Sequence, residues 1–401
     1  MIFSKLLGFS PKVIRASSCL IIPSRSFRIC VSLQTLANQN EVASGASTVR
    51  QKAWNDAASL MIVAPMNNSE PYSLGYLMVE RSRTHRVLPG SLVFPGGNAN
   101  PVDCHPKWIE MFKDVLNMDI LQTQFLNEGA KVPAIYEFKN NELQPIPKEV
   151  SLRITAIRET FEEAGILICK PRTIDPVREM EGIPYYEFQQ LEDKKEKQAW
   201  QKRVRKNAED FLELCKQLDC VPDIEALHDW NNWLTPANFK PKSRFDTMFY
   251  MIVLPKLVHV LVDGNEAVKA QWASPPSILS DHFKGHVQLS PPQIYEMVRL
   301  KQLKTMKELQ HRLELRKQLG LERYFVVLRK AKDGTLFLLP GDDMYPNAPD
   351  LINADPTFLE EMSETVAQLK DSSTNFHRGI ANADGAITMY DINVTRYGQI
   401  Y

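Results

Sequence analysis

The chain has 401 residues, 44% hydrophobic and 24% charged, an ordinary globular composition with length for a sizeable core. Lysine plus arginine and aspartate plus glutamate number 48 each, so net charge is zero, and nothing in the overall charge points to nucleic acid or an anionic membrane as a partner. Any attraction for phosphate must be local, and six cysteines without a CxxC pair read as reduced thiols rather than a disulfide framework.

Residues 1 to 40 carry Lys5, Lys12, Arg15, Arg25 and Arg28, many serines and no acid before Glu41, the signature of a mitochondrial transit peptide. The apolar patch from Cys19 to Pro23 is too short to cross a membrane, so stable membrane insertion is not expected. Residues 57 to 64 and 74 to 80 read as buried strands separated by a polar, Pro-containing turn. The second strand delivers Arg81-Ser82, then Arg86, Gly90 and Phe94-Pro95-Gly96-Gly97, with Asp103 six residues after the second glycine. Between 104 and 150, Trp108, Phe112, Leu116 and Leu121 predict a helix followed by a loose connection.

The richest stretch is Arg158-Glu159-Thr160-Phe161-Glu162-Glu163-Ala164-Gly165. On a helix, residues i, i+3 and i+4 are neighbours, so Glu159, Glu162 and Glu163 share one face. Ile154, Ile157, Phe161 and Ala164 repeat on the other, predicting a helix that buries its apolar side while the acids point outward. Ser151 fits an N-cap and Gly165 a left-handed terminator. Like charges at this spacing repel unless a cation lies between them, and clustered carboxylates suit a hard ion such as Mg²⁺ or Mn²⁺. Arg158 precedes the first acid and lies one turn before Glu162, where it can orient a carboxylate.

Further on, residues 190 to 218 are charged, with Trp200, Val204, Phe211, Leu212 and Cys215 at helical spacing, which predicts one or two accessory helices. Strands are expected at 250 to 253 and 257 to 262, the latter leading to Gly264-Asn265-Glu266. One long amphipathic helix is expected over 291 to 319, serving as core or as a homodimer contact. Segments 324 to 328, 336 to 339 and 386 to 394 alternate like strands around an Asp333-Gly334 turn.

The glycine pair, the spaced acid and Arg-Glu-x-x-Glu-Glu-x-Gly together resemble the box of the Nudix hydrolase superfamily. Two departures stand out: Asp103 replaces glutamate, and residues 104 to 150 intervene where the common box has none. Arg81-Ser82, Arg86, Gly90 and Phe94-Pro95-Gly96-Gly97 also look like the added signature of Nudix enzymes that cleave coenzyme A. Trp233-Leu234-Thr235-Pro236, Arg244-Phe245-Asp246-Thr247, Gln271-Trp272-Ala273-Ser274-Pro275 and Leu339-Pro340-Gly341-Asp342 extend the resemblance to the motif 19 branch, in which both departures are regular.

That resemblance implies an α/β fold, a Nudix α/β/α sandwich with a mixed sheet, a long insertion inside the box, helical accessory segments and a C-terminal extension. It implies a domain over 50 to 285, with insertions at 104 to 150 and about 170 to 240, and an extension over 286 to 401. It implies hydrolysis of coenzyme A and acyl-CoA to 3′,5′-ADP and 4′-phosphopantetheine products. Glu159, Glu162, Glu163 and the Gly97 carbonyl would hold Mg²⁺ (or Mn²⁺), and one of these carboxylates or Glu266 would take the proton of the attacking water. Arg81 and Arg86, with Arg244 third, would meet the phosphates beside Gly96 and Gly97. A Nudix hydrolase for ADP-ribose or NADH, or a catalytically idle CoA-binding module, are the alternatives, and the full set of acids argues against the second. Mammalian relatives end in a peroxisomal targeting tripeptide, whereas this chain ends Gln399-Ile400-Tyr401, so that address does not carry over; the basic first 40 residues make the mitochondrial matrix the expected address, with the peroxisome as the alternative.

Overall fold

A computed structural model describes residues 54–66, 73–85, 88–116, 120–122, 124–136, 145–172, 191, 193–236, 244–353, 361–382 and 387–393. The segment 1 to 40 and Arg86 lie outside them. Alternation along β1 (Asn55–Pro65) dictates the architecture: Leu60, Ile62 and Ala64 enter one apolar cluster, Met61 and Val63 another. A strand apolar on both faces has to be covered twice, and this one is.

Around β1 the chain forms β2 (Leu74–Arg81), β3 (Ser91–Val93), β4 (Gly96–Asn98), α1 (Lys107–Leu116), α2 (Lys148–Ala164) and β5 (Cys169–Pro171). Then come α3 (Lys194–Lys206), α4 (Glu209–Gln217), β6 (Cys220–Pro222), β7 (His228–Leu234), β8 (Phe245–Val253) and β9 (Ala267–Ala273). α5 (Pro275–Phe283), β10 (Gln288–Leu289), α6 (Pro291–Leu300), α7 (Met306–Leu319) and β11 (Arg323–Phe325) follow. The main sheet runs β10-β3-β2-β1-β8-β7-β11, with β4 also paired to β1 and β9 to β2. β1 and β8 are parallel from Asn55↔Phe245 to Val63↔Val253, while β1 with β2 and β7 with β8 are antiparallel, so the sheet is mixed.

One face is covered by α1, α2, α3 and α4, through Trp108, Phe112, Ile154, Ile157, Phe161, Trp200, Val204 and Phe211. The other is covered by α5, α6 and α7, through Ile278, Ile294, Met297, Leu300, Leu309 and Leu313. The expected α/β/α sandwich is therefore built with helices from the insertions in one layer. β10 and β11 join the same sheet before β12 (Val327–Ala331), β13 (Gly334–Leu338), β14 (His377–Ala381) and β15 (Ile387–Ile392) form a second sheet, with α8 (Val366–Asp371) against β13. The β12–β13 hairpin turns between Ala331 and Gly334, as the Asp333-Gly334 pair predicts.

Three local expectations are corrected. The helix predicted over 291 to 319 is two helices, because Thr305 starts a new one by accepting from Glu308 N–H while Glu308 caps back onto Thr305 N–H. Their apolar residues are buried within this chain, so the stripe is core. Residues 257 to 262 form no strand; instead Leu261 N–H donates to Ala164 O and Trp272 Nε1 to Val258 O. α2 begins at Lys148 after Pro147, and Ser151 Oγ donates to Lys148 O inside the first turn rather than capping it. Among the described residues, no helix is long and apolar enough to cross a membrane.

Candidate active site

The site forms where α2 crosses the β1–β4 pair. Gly96 adopts φ 152°, and a Cβ there would stand 2.3 Å from Ala58 O, so glycine is what lets β4 lie against β1. A Cβ on Gly97 would meet Glu159 Oε2 at 2.4 Å. The Phe-Pro-Gly-Gly turn is thus pressed against the acids of α2. α2 ends at Gly165, with φ 65° and its N–H donating to Phe161 O.

Contrary to the sequence expectation, the acids do not point into open solvent. The Gly96-Gly97 turn, Arg158 and Glu266 crowd them, leaving Glu162 7% and Glu163 3% exposed, with the Glu159 side chain at 12%. Glu163 Oε2 accepts the Gly96 N–H at 3.0 Å. Arg158 Nη1 donates to Glu159 Oε1 at 2.8 Å and Glu162 Oε1 at 2.6 Å, the contact expected one turn on. Its Nη2 also donates to Asn98 O.

Asp103 explains why Arg158 holds this pose. Its two oxygens accept Arg158 Nε at 2.8 Å and Nη2 at 2.9 Å, a bidentate fork, and Oδ2 also accepts Thr155 Oγ1 and Asn100 N–H. Aspartate at this position, the first departure from the common box, is an anchor for the arginine. Sequence alone marked the position but not that partner.

Three more groups complete the surroundings. Glu266 lies close enough to Glu159, Glu162 and Glu163 to raise the pKa of each, and its carbonyl accepts Ser82 N–H beside Arg81. Asp263 shapes that loop by accepting Glu266 N–H and Ala267 N–H, and is itself paired with Arg205 of α3. Gln201 Nε2 donates to Phe161 O, Glu162 O and Leu261 O, tying the end of α2 to the segment that carries Leu261. No motif or spacing could have singled out Gln201, whose partners are 39 to 60 residues away, or the pairing of Asp263 with Arg205.

Arg81 sits near enough to Glu163 to lower its pKa. Arg244, expected at the phosphates, goes elsewhere: its guanidinium donates to Thr235 O, Leu351 O and Ile352 O and lies over the Trp54 ring. It is 2% exposed and clamps Leu351 and Ile352 to the start of β8.

The electrostatics fit a divalent ion. Five carboxylates (Asp103, Glu159, Glu162, Glu163 and Glu266) face two guanidiniums (Arg81 and Arg158). Burial, with repulsion from Glu159, pushes Glu162 up to about 8. Burial pushes Glu163 up to about 8 as well, against the opposing pull of Arg81. Hard oxygen donors short of countercharge are the donor set that a hard cation stabilises. They are not drawn onto one point: among the described residues, the one trio of candidate ligand atoms all within 4.8 Å is Cys169, Cys215 and Cys220. Arg158 Nη1 bridges Glu159 and Glu162, while the Gly96 N–H holds Glu163.

Residues 54–300 match the family model described as the NUDT19 Nudix domain, and residues 329–390 match the NUDT19 C-terminal domain. The chain belongs to the NUDT19 family of Nudix hydrolases. A Xenopus laevis relative named acyl-coenzyme A diphosphatase NUDT19 is 31% identical over 369 residues, covering 84% of this chain and 92% of the relative. A Homo sapiens relative of the same name is 32% identical over 373 residues, covering 87% of this chain and 94% of its own. A solved Nudix hydrolase from Alicyclobacillus acidocaldarius has 22% identity and a TM-score of 0.44, over 67% of this chain and 98% of that one. Nudix hydrolases generally use divalent metal ions.

Proposed function

We propose that this chain hydrolyses the diphosphate bond of coenzyme A and acyl-CoA, releasing 3′,5′-ADP and (acyl-)4′-phosphopantetheine. The observation that carries the reading is the match to relatives named acyl-coenzyme A diphosphatase over more than four fifths of the chain. The buried acid cluster beside Arg81 supports it chemically.

Glu159, Glu162, Glu163 and the Gly97 carbonyl would hold Mg²⁺, with Mn²⁺ as a substitute. Such an ion neutralises charge on the diphosphate oxygens and lowers the pKa of the attacking water. Asp103 fixes Arg158, and Arg158 in turn holds Glu159 and Glu162 in place. Glu266 is our choice for the general base: it faces all three helix acids from a separate loop and is not among the carboxylates that Arg158 binds. Water oxygen bonds to phosphorus as the bridging P–O bond breaks, and the departing phosphate carries the bridging oxygen.

Coenzyme A differs from ADP-ribose and NADH by its 3′-phosphate, an anion that calls for a cationic partner. Arg81 and the motif's second arginine, Arg86, are proposed for the substrate's phosphates. The test is parallel turnover of CoA, dephospho-CoA, ADP-ribose and NADH with Mg²⁺. CoA should be preferred; equal cleavage of dephospho-CoA would favour the broader nucleotide hydrolase. The basic first 40 residues support a mitochondrial matrix address, and N-terminal sequencing of the endogenous protein tests it.

A further inference from the structure

A second cluster of metal-ligating side chains lies outside the carboxylate site, and it is made of sulfur. Cys169 on β5, Cys215 on α4 and Cys220 on β6 bring their Sγ atoms within 4.8 Å of one another. All three are free thiols, 6%, 0% and 7% exposed. β5 and β6 pair antiparallel, with Cys169 opposite Pro222 and Pro171 opposite Cys220, so the strand cysteines form a diagonal pair. α4 packs on β6 and sets Cys215 beside them.

A buried cysteine commonly packs as a small hydrophobe, and these three do lie in the apolar cluster with Phe211 and Val221. Packing alone does not require three sulfurs from three separate elements to converge on one point. With metal–sulfur bonds of about 2.3 Å, three sulfurs around one ion stand roughly 4 Å apart. The cluster therefore needs side-chain adjustments of only about 1 Å or less to close on a cation. Soft thiolates select Zn²⁺ or Cu⁺ over Mg²⁺, and no histidine or carboxylate among the described residues joins the group.

We propose that Cys169, Cys215 and Cys220 form a structural binding site for a thiophilic d¹⁰ cation, Zn²⁺ or Cu⁺, distinct from the Mg²⁺ acid cluster. On binding, sulfur–metal bonds replace S–H bonds and the displaced protons pass to solvent, with no change of oxidation state. The ion would join the two ends of the insertion that carries α3 and α4. Cys169 lies four residues beyond Gly165, and Cys220 opens the strand that returns toward β7. That insertion presents Gln201 to the carbonyls of Phe161 and Glu162, and Arg205 to Asp263, so the cation would brace the supports of the catalytic helix.

The full-length protein, purified under reducing conditions without chelator, should be assayed by elemental mass spectrometry and then titrated with Zn²⁺, Cu⁺ and Co²⁺ after metal removal. One Zn²⁺ or one Cu⁺ per chain is expected, with the metal recovered identifying which cation the site takes. A thiolate-to-cobalt charge-transfer band on Co²⁺ addition and a higher melting temperature on reloading are expected as well. Cys215→Ser and Cys169→Ser should lose the metal and the band, whereas Glu162→Gln should keep both. If the serine variants fail to fold, the wild-type titrations still decide. A wild-type chain that takes up none of these ions and shows no thermal shift would overturn the proposal, as would a disulfide between any two of the three cysteines.

Discussion

Replacing Asp103 with asparagine removes one charge from the most connected ion pair of the site while keeping its shape. The carboxylate takes four hydrogen bonds: Arg158 Nε at 2.8 Å, Arg158 Nη2 at 2.9 Å, Thr155 Oγ1 at 2.8 Å and Asn100 N–H at 2.9 Å. Both partners are enclosed, with side chains 1% and 3% exposed, so water cannot take over. An amide keeps one acceptor oxygen but turns N–H donors toward groups that themselves donate. Removing one partner of a buried pair costs about 3–5 kcal/mol, out of a total stability of about 5–15 kcal/mol. Arg158 keeps Glu159, Glu162 and Asn98 O, which favours the lower end, about 3 kcal/mol. Without the Asp103 fork the guanidinium can shift together with the two glutamates it holds, and misplacement by about 1 Å costs on the order of 10² in turnover. Urea unfolding followed by circular dichroism gives the first quantity, and CoA hydrolysis by the folded variant gives the second. A variant within about 0.5 kcal/mol of wild type and equally active would refute the anchoring role of Asp103.

Other consequences follow from the same geometry. Gly97→Ala should fold but lose most activity, since its Cβ would need the space of the Glu159 carboxylate; unaltered kcat would sink that assignment. Glu162 and Glu163 titrate near 8 when folded, against an ordinary glutamate value of 4.5. Between those values the folded, metal-free protein binds more protons than the unfolded chain, so its stability falls as pH rises from about 4.5 to about 8. Saturating Mg²⁺ should flatten that decline, and melting curves with EDTA and with Mg²⁺ across this range check both signs. Arg244→Ala should cost about 1 kcal/mol by leaving half-buried carbonyls of Thr235 and Leu351 without this donor, yet leave KM for CoA unchanged. A raised KM with normal stability would return Arg244 to the substrate.

What could be read from the sequence was whatever is encoded locally. β1 and β2 announced themselves as apolar runs, α2 by its period, and the β12–β13 turn by Asp333-Gly334. The acid trio and Arg158 were legible because helical geometry alone brings them together. What escaped depends on contacts far apart in the chain. Leu257 to Val262 has the apolarity of a strand, but β9 takes the place beside β2, and the segment's backbone bonds instead to the end of α2 and to Gln201. Arg244 looked like a free cation until Leu351 and Ile352, more than a hundred residues on, supplied its acceptors. The acids of α2 were expected in solvent because nothing in their own spacing shows that the Gly96-Gly97 turn and Glu266 close in on that face. The break between α6 and α7 did have a local signal, Thr305-x-x-Glu308, which the continuing apolar rhythm masked.

The central claim is that the α2 carboxylates bind the ion that enables cleavage of the CoA diphosphate. Its most direct test is product analysis for wild type and Glu162→Gln, with CoA and with graded Mg²⁺. The account predicts 3′,5′-ADP and 4′-phosphopantetheine from wild type only when Mg²⁺ is present, and turnover lower by orders of magnitude in a Glu162→Gln chain that unfolds as cooperatively as wild type. Near-normal Mg²⁺-dependent hydrolysis by the variant, or equal product from wild type in EDTA, would contradict it.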